Sequence, residues 1–129
     1  MGNMLSVNLR RTTSAGLALA LAACGSSTAP EAIPVGGTTI TITSAGASPK
    51  NLLVSPGTQV TFVNNDSRPH TMNSDPHPEH GDCPAVNSVG FLAPGQSKQT
   101  GNLNAARTCG YHDHDLFADT SLQGTMTIR

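Results

Sequence analysis

Residues 38–43, with the sequence TTITIT, alternate apolar and hydroxyl side chains with a period of two. This alternation is typical of a half-buried β-strand, because successive side chains of a strand point to opposite faces of a sheet. Similar short runs follow at 51–55, 59–64, 96–103, 105–111 and 122–128, separated by turn residues such as Pro56-Gly57 and Pro94-Gly95. Beyond residue 38 no run has the length and period of a helix. The sequence therefore predicts an all-β Greek-key sandwich of about seven to eight strands.

The first 23 residues have the features of a cleaved export signal. Arg10 and Arg11 precede a short apolar run that ends in Leu-Ala-Ala-Cys at 21–24. The run is too short for a permanent membrane span. Its ending resembles the bacterial lipobox, which implies that Cys24 becomes the lipidated first residue; an ordinary signal peptide cleaved nearby is the alternative. We expect a signal peptide at 1–23, the lipidated cysteine with a flexible linker at 24–37, and one domain at 38–129.

The composition argues against several classes of function. Seven basic residues stand against eight acidic ones, and no basic cluster is present, so binding to nucleic acid is not expected. The sequence also contains no Ser-His-acid order and no phosphate-binding loop, so we do not expect an enzyme. With only three Phe and one Tyr, the core is small and would gain stability from a metal or a disulfide.

The residues that can carry chemistry lie in the second half of the chain. All five histidines occur from His70 onward, His112 follows Cys109 by three positions, and His114 lies two positions further on. A thiolate and two imidazoles from loops that meet at one end of a sandwich form the trigonal His₂Cys site of mononuclear copper. Copper is therefore the metal that this residue pattern indicates.

Three segments in this order resemble the plastocyanin-like cupredoxins. They are 56–66 followed by His70, the Cys-Gly-Tyr-His run at 109–112, and the final run GTMTI at 124–128. The resemblance implies one copper centre with His70, Cys109 and His112 as ligands. It also implies a one-electron carrier that exchanges electrons with redox protein partners. With Cys24, the implied protein is a lipid-anchored bacterial member in the cell envelope, facing the periplasm or the extracellular side, with the membrane touched only by the anchor.

Two features depart from the family pattern around the copper site. The position of the family's weak axial methionine is occupied by Leu122, which would not ligate and implies a three-coordinate copper; Met126 is expected to pack in the core. The segment between His112 and Leu122 is also longer than usual. His114 is therefore an alternative ligand to His112.

The second cysteine of the domain leaves further alternatives open. Cys83 lies in the polar, proline-rich segment 74–86 together with His77 and His80. A disulfide between Cys83 and Cys109 is the usual state of an exported pair and would remove the thiolate. Without it, this segment could supply an extra ligand or a second metal site, and its histidines could equally be solvated. The alternative functions are a periplasmic copper-binding or copper-delivery protein, and a metal-free, disulfide-bonded structural module.

Overall fold

The computed structural model describes residues 37–129, which form nine β-strands in two sheets. The strands are β1 Thr39–Thr43, β2 Gly46–Ser48, β3 Asn51–Val54, β4 Thr61–Asn64, β5 His70–Ser74, β6 Gly90–Leu92, β7 Ser97–Gln99, β8 Arg107–Asp113 and β9 Gly124–Ile128. Two short 3₁₀ helices occupy Pro84–Ser88 and Thr120–Leu122. The predicted signal peptide, Cys24 and the linker as far as residue 36 lie outside the described residues. Within 37–129 no helix is long and apolar enough to span a membrane.

The two sheets confirm the predicted all-β class. One sheet has the order β2-β1-β4-β7 and the other has the order β3-β9-β8-β5-β6. The pairs β1–β4 and β3–β9 are parallel, whereas the other neighbours are antiparallel. Two parallel strands cannot be joined by a tight hairpin, so the chain between them must cross over. Here the connecting chain passes through the other sheet, and the chain therefore changes sheet several times along its length.

The core lies between the sheets and follows from the alternation of side chains along each strand. Ile40 and Ile42 of β1 are fully buried, whereas the threonines between and beside them are not. The rings of Phe62 in β4 and Tyr111 in β8 meet edge to face with centroids 5.2 Å apart. Leu122 and Met126 are also buried in this core. Both of these side chains therefore have packing roles here.

The pairing of β5 with β8 positions the part of the molecule that carries the histidines. In this antiparallel pair Asn73 lies opposite His112, and Ser74 lies opposite Tyr111. The chain leaves β5 after Ser74 and forms the segment 75–83, whose ends contact Gly110 of β8. Beyond the end of β5 this segment therefore runs beside β8, and the rings of His77 and His80 lie near the ring of His112.

Candidate metal centre

The direction of each side chain of β8 decides which predicted ligands can meet. The strand extends to Asp113, and its side chains alternate between the two faces of the sheet. Cys109, Tyr111 and Asp113 lie on the inner face and are fully buried, whereas Gly110 and His112 lie on the outer face. Cys109 and His112 therefore point to opposite sides of the sheet. One metal ion cannot be bound by both of these side chains in this arrangement.

Cys109 forms a disulfide with Cys83, and the two Cα atoms are 5.7 Å apart. Both cysteines are buried in the hydrophobic core. Of the two alternatives that the sequence left open, the structure contains the disulfide. In this structure Cys109 therefore does not offer the thiolate that the expected His₂Cys copper site requires.

His70 lies on the inner side of the sheet, in a buried hydrogen-bond network with two aspartates. Its side chain is fully buried, with Nδ1 2.6 Å from Oδ2 of Asp113 and Nε2 3.1 Å from Oδ2 of Asp66. Both ring nitrogens of His70 thus have a carboxylate oxygen as their hydrogen-bonding neighbour in this structure. The structure therefore does not bring the expected set of His70, Cys109 and His112 together, and it places His70 between two carboxyl groups.

Asp66 is held in its ionised form by the groups around it. Burial by itself raises the pKa of this carboxyl group. Hydrogen bonds from His70, from Nε of Arg68 and from the backbone N–H of Ser67 outweigh burial and lower the pKa from 3.8 to about 2. The network thus contains a carboxylate that stays charged well into the acid range.

The four other histidines lie together on the outer side of the five-stranded sheet. His77 and His80 belong to the segment 75–83, His112 belongs to β8, and His114 follows β8 directly. Each ring offers one nitrogen, and the four nitrogens lie within 4.8 Å of one another. His112 is buried and the other three are half-buried. We call these residues the four-histidine cluster.

Two ring nitrogens of the four-histidine cluster lack a hydrogen-bond partner although they are buried. They are Nδ1 of His77 and Nε2 of His112. Nδ1 of His114 and Nε2 of His80 lie 3.1 Å apart. Buried polar atoms nearly always have partners, so two unpartnered nitrogens within one cluster require an explanation. A cation bound among the four rings would be a partner for both of them.

The backbone around His80 is fixed by several hydrogen bonds. Its N–H donates to the Pro76 carbonyl over 2.7 Å, and its carbonyl accepts from Oγ of Ser74 at 2.8 Å and from Nδ2 of Asn87 at 2.9 Å. His80 has a φ of 53°, a left-handed conformation that is uncommon for residues other than glycine. Such conformations persist only where surrounding contacts hold them, and they occur preferentially at functional sites.

The ring of His77 and the backbone of His114 are held by contacts outside the cluster. Phe117 stacks on His77 with centroids 4.2 Å apart and planes 5° from parallel. The N–H of His114 donates to the Thr71 carbonyl over 2.7 Å, which continues the β5–β8 pairing beyond the end of β8. The four imidazoles are thus brought together by one strand pair, one loop and one aromatic side chain.

The electrostatics of the cluster disfavour protonation of His80. Burial lowers the pKa of its imidazole, and repulsion from the nearby His112, His114 and His77 lowers it further, against a smaller opposing effect of Glu79. A neutral imidazole is the form that binds a metal ion. The surroundings of His80 therefore favour the state that a metal ligand needs.

The donor chemistry of the cluster fits a transition-metal ion. Four imidazole nitrogens suit copper(II) or zinc. The bond between zinc and a histidine nitrogen is about 2.0–2.1 Å long. Nitrogens around such an ion lie roughly 3–4 Å apart, so the spacing in the cluster needs only small ring movements. The Cys-containing donor set of blue-copper sites does not fit, because the sulfur is in a disulfide.

From the sequence, His77, His80 and His114 are expected only as alternative ligands. One sequence pattern nevertheless indicates part of the four-histidine cluster. Residues two apart in a strand lie on the same face, so the His-x-His pair at 112 and 114 indicates two imidazoles side by side. The Cys-x-x-His spacing at 109–112 indicates instead a cysteine and a histidine at one metal site. In an extended strand this spacing places the two side chains on opposite faces.

The fold and the site together define a small β-sandwich with a candidate all-histidine metal centre. Solved structures with a similar fold include a purple cupredoxin from Nitrosopumilus maritimus, at 22% identity and a TM-score of 0.52, covering 70% of this chain and 98% of that one. Plastocyanin from Dryopteris crassirhizoma is 16% identical with a TM-score of 0.54, covering 70% of this chain and 99% of the plastocyanin. An oxidised mutant of amicyanin is 18% identical with a TM-score of 0.57, covering 80% and 87%.

These similarities establish a cupredoxin-like fold for this chain. No protein-family model and no curated protein match the sequence. Sequence identities of 16–22% support a shared fold. They do not transfer the metal ligands of those proteins to this chain.

Proposed function

We propose that this domain is a copper-binding protein that holds one copper(II) ion through His77, His80, His112 and His114. The observation that carries the proposal is the pair of buried, unpartnered ring nitrogens on His77 and His112 inside a cluster of four imidazoles. The cupredoxin-like fold favours copper, since its neighbours include the Cu(I) form of an amicyanin mutant. Copper(II) also binds nitrogen donors more tightly than the other divalent ions of the first transition row, zinc included.

A role in copper binding or delivery fits this ligand set better than blue-copper electron transfer. The intense visible absorption of blue-copper proteins needs a thiolate ligand, and Cys109 is in a disulfide. His77, His80 and His114 are half-buried, so the proposed site is accessible for metal exchange. We further propose display in the cell envelope through a lipid anchor on Cys24, with copper exchange between this domain and protein partners there.

One-electron transfer is the second candidate, and the fold favours it. The amicyanin neighbours include both oxidised and Cu(I) forms. Copper bound by imidazoles can change its oxidation state, so the two candidates differ in what happens on reduction. Reversible reduction with the metal retained would support the carrier, and loss of the metal on reduction would support delivery.

The experiment that tests the proposal is a copper(II) titration of the folded domain with its disulfide intact. We expect one equivalent to bind, an electron paramagnetic resonance spectrum with nitrogen coupling, and no intense thiolate-to-copper band in the visible spectrum. The double variant His77→Ala/His112→Ala should lose this binding, whereas His70→Asn, outside the cluster, should keep it. An intense visible band would instead support a thiolate ligand. Absence of copper binding would contradict the proposal and support a metal-free structural module.

A further inference from the structure

Asp75 is the carboxylate that contacts the most buried ring of the four-histidine cluster. Its Oδ1 lies 2.7 Å from Nδ1 of His112, while Nε2 of the same ring has no partner. Asp75 is itself fixed at the first position of the segment 75–83. Its N–H donates to the Gly110 carbonyl over 3.2 Å, and its carbonyl accepts from the N–H of Asp82 over 2.8 Å. The backbone thus holds this carboxylate directly beside the His112 ring.

Gly110 makes the space that the Asp75 carboxylate occupies. A Cβ at this position would lie 1.9 Å from Oδ2 and 2.7 Å from Cγ of Asp75. Gly110 lies two residues before His112 on the same face of β8, so the carboxylate sits over the glycine and beside the ring. Any side chain at position 110 would displace the carboxylate, and the displaced atoms are the end of a flexible side chain rather than backbone.

We propose that Asp75, seated over Gly110, is a positioning residue that fixes His112 as its Nδ1–H tautomer and directs Nε2 into the four-histidine cluster. Metal-binding histidines usually donate their second ring nitrogen to a carboxylate, a carbonyl or water, which sets the tautomer and raises the basicity of the ligand. The role as a metal-positioning residue rests on the proposed function. The effect on the tautomer is a property of the metal-free protein and can be tested independently.

The decisive variant is Gly110→Ala, because it changes neither a ligand nor a polar group. Gly81→Ala is the matched control, since Gly81 lies in the same segment and a Cβ there meets no atom within 4 Å. Nitrogen-15 NMR of the metal-free proteins, above the titration range of imidazole, reports the tautomer of His112. We expect the Nδ1–H form in the natural protein and in Gly81→Ala, and a shift toward the Nε2–H form or a mixture in Gly110→Ala.

Copper(II) affinity, measured by competition with a chelator, gives the second readout. Gly110→Ala and Asp75→Ala should weaken binding by about 10–100-fold, the range typical for loss of such an outer partner. Asp75→Asn keeps an acceptor oxygen, so it should weaken binding less than Asp75→Ala. If Gly110→Ala does not fold, Asp75→Ala still tests the same contact, because it removes the carboxylate without changing β8.

The outcomes separate this inference from the proposed function. If the tautomer and the affinity of Gly110→Ala and Asp75→Ala match those of Gly81→Ala, the positioning role is overturned. If the natural protein binds no copper(II), the proposed function fails, and the tautomer in the metal-free proteins still decides whether Asp75 orients His112.

Discussion

His70 is the residue at which a blue-copper ligand set and the four-histidine cluster lead to different expectations. Replacing it by Asn should lower the free energy of unfolding by about 1–3 kcal/mol, because the buried carboxyl groups of Asp66 and Asp113 would lose the imidazole that bridges them. The copper stoichiometry should stay at one. Urea denaturation and copper titration measure the two effects.

The matched change His77→Asn should give the opposite pattern to His70→Asn. It removes a nitrogen of the four-histidine cluster and leaves the buried network of His70 intact. Copper affinity should fall strongly while stability changes little. Loss of copper binding in a folded His70→Asn protein would contradict the assignment of His70 as a structural residue.

The network of His70 also predicts how stability depends on pH. The pKa of Asp66 is lower in the folded protein, at about 2, than its ordinary value of 3.8. A carboxyl group with a depressed pKa stabilises the fold fully above the ordinary pKa, and this contribution is lost as the pH falls through the folded value. We therefore expect stability to decline between about pH 4 and pH 2, measured by urea denaturation at a series of pH values. In Asp66→Asn the free energy of unfolding should change less steeply with pH within this window. An unchanged pH dependence would mean that other carboxyl groups produce it.

The side of the sheet that His112 faces could not be predicted from the sequence, because it depends on where β8 ends. A strand ending at residue 111 would leave His112 free to turn toward Cys109. Pairing of Asp113 with Met72 extends the strand, and His112 is thereby held on the outer face. Strand ends depend on the partner strand, which the local residue pattern does not contain.

At the scale of elements, the disulfide joins β8 to the segment 75–83. The cysteines are 26 residues apart, so their removal in Cys83→Ser/Cys109→Ser should cost about 3.5 kcal/mol by the loop-entropy relation. Copper affinity should fall as well, because Cys83 covalently attaches the end of the segment that carries His77 and His80. Denaturant unfolding and copper titration of the folded fraction test both effects. Unchanged affinity would mean that the hydrogen bonds from Ser74 and Asn87 suffice to hold this segment.

The elements themselves were predictable where alternation of side chains is strong. The runs at 38–43 and 51–55 correspond to β1 and β3 within one residue at each end. The three-residue strands β2 and β6 were missed, because so short a run shows no period. The prolines of the segment 74–86 agree with the end of β5 at Ser74, since proline is rare within central strands. The path of the segment 75–83, however, depends on contacts between side chains and distant backbone that no local pattern encodes.

At the scale of the whole molecule, the two faces of the five-stranded sheet have different roles. The inner face contains Cys109 in its disulfide and His70 in its network with Asp113, and both contribute to stability. The outer face carries His112 beside Asp75, His77 and His80 of the segment 75–83. A cupredoxin-like fold thus combines a closed interior with a candidate metal centre on its outer side. Copper binding should then be separable from folding.

This separation predicts how copper changes thermal stability. A ligand that binds only the folded state stabilises it by about 2.7 kcal/mol at a free concentration 100 times the Kd. For a domain of this size the melting temperature should rise by roughly 10–20 °C, measured by calorimetry with and without copper(II). The variant His77→Ala/His112→Ala should show no rise on addition of copper(II), because it lacks two of the four proposed ligands. A rise that persists in this variant would place the stabilising copper outside the four-histidine cluster, and a fall in the natural protein would mean that copper prefers the unfolded chain.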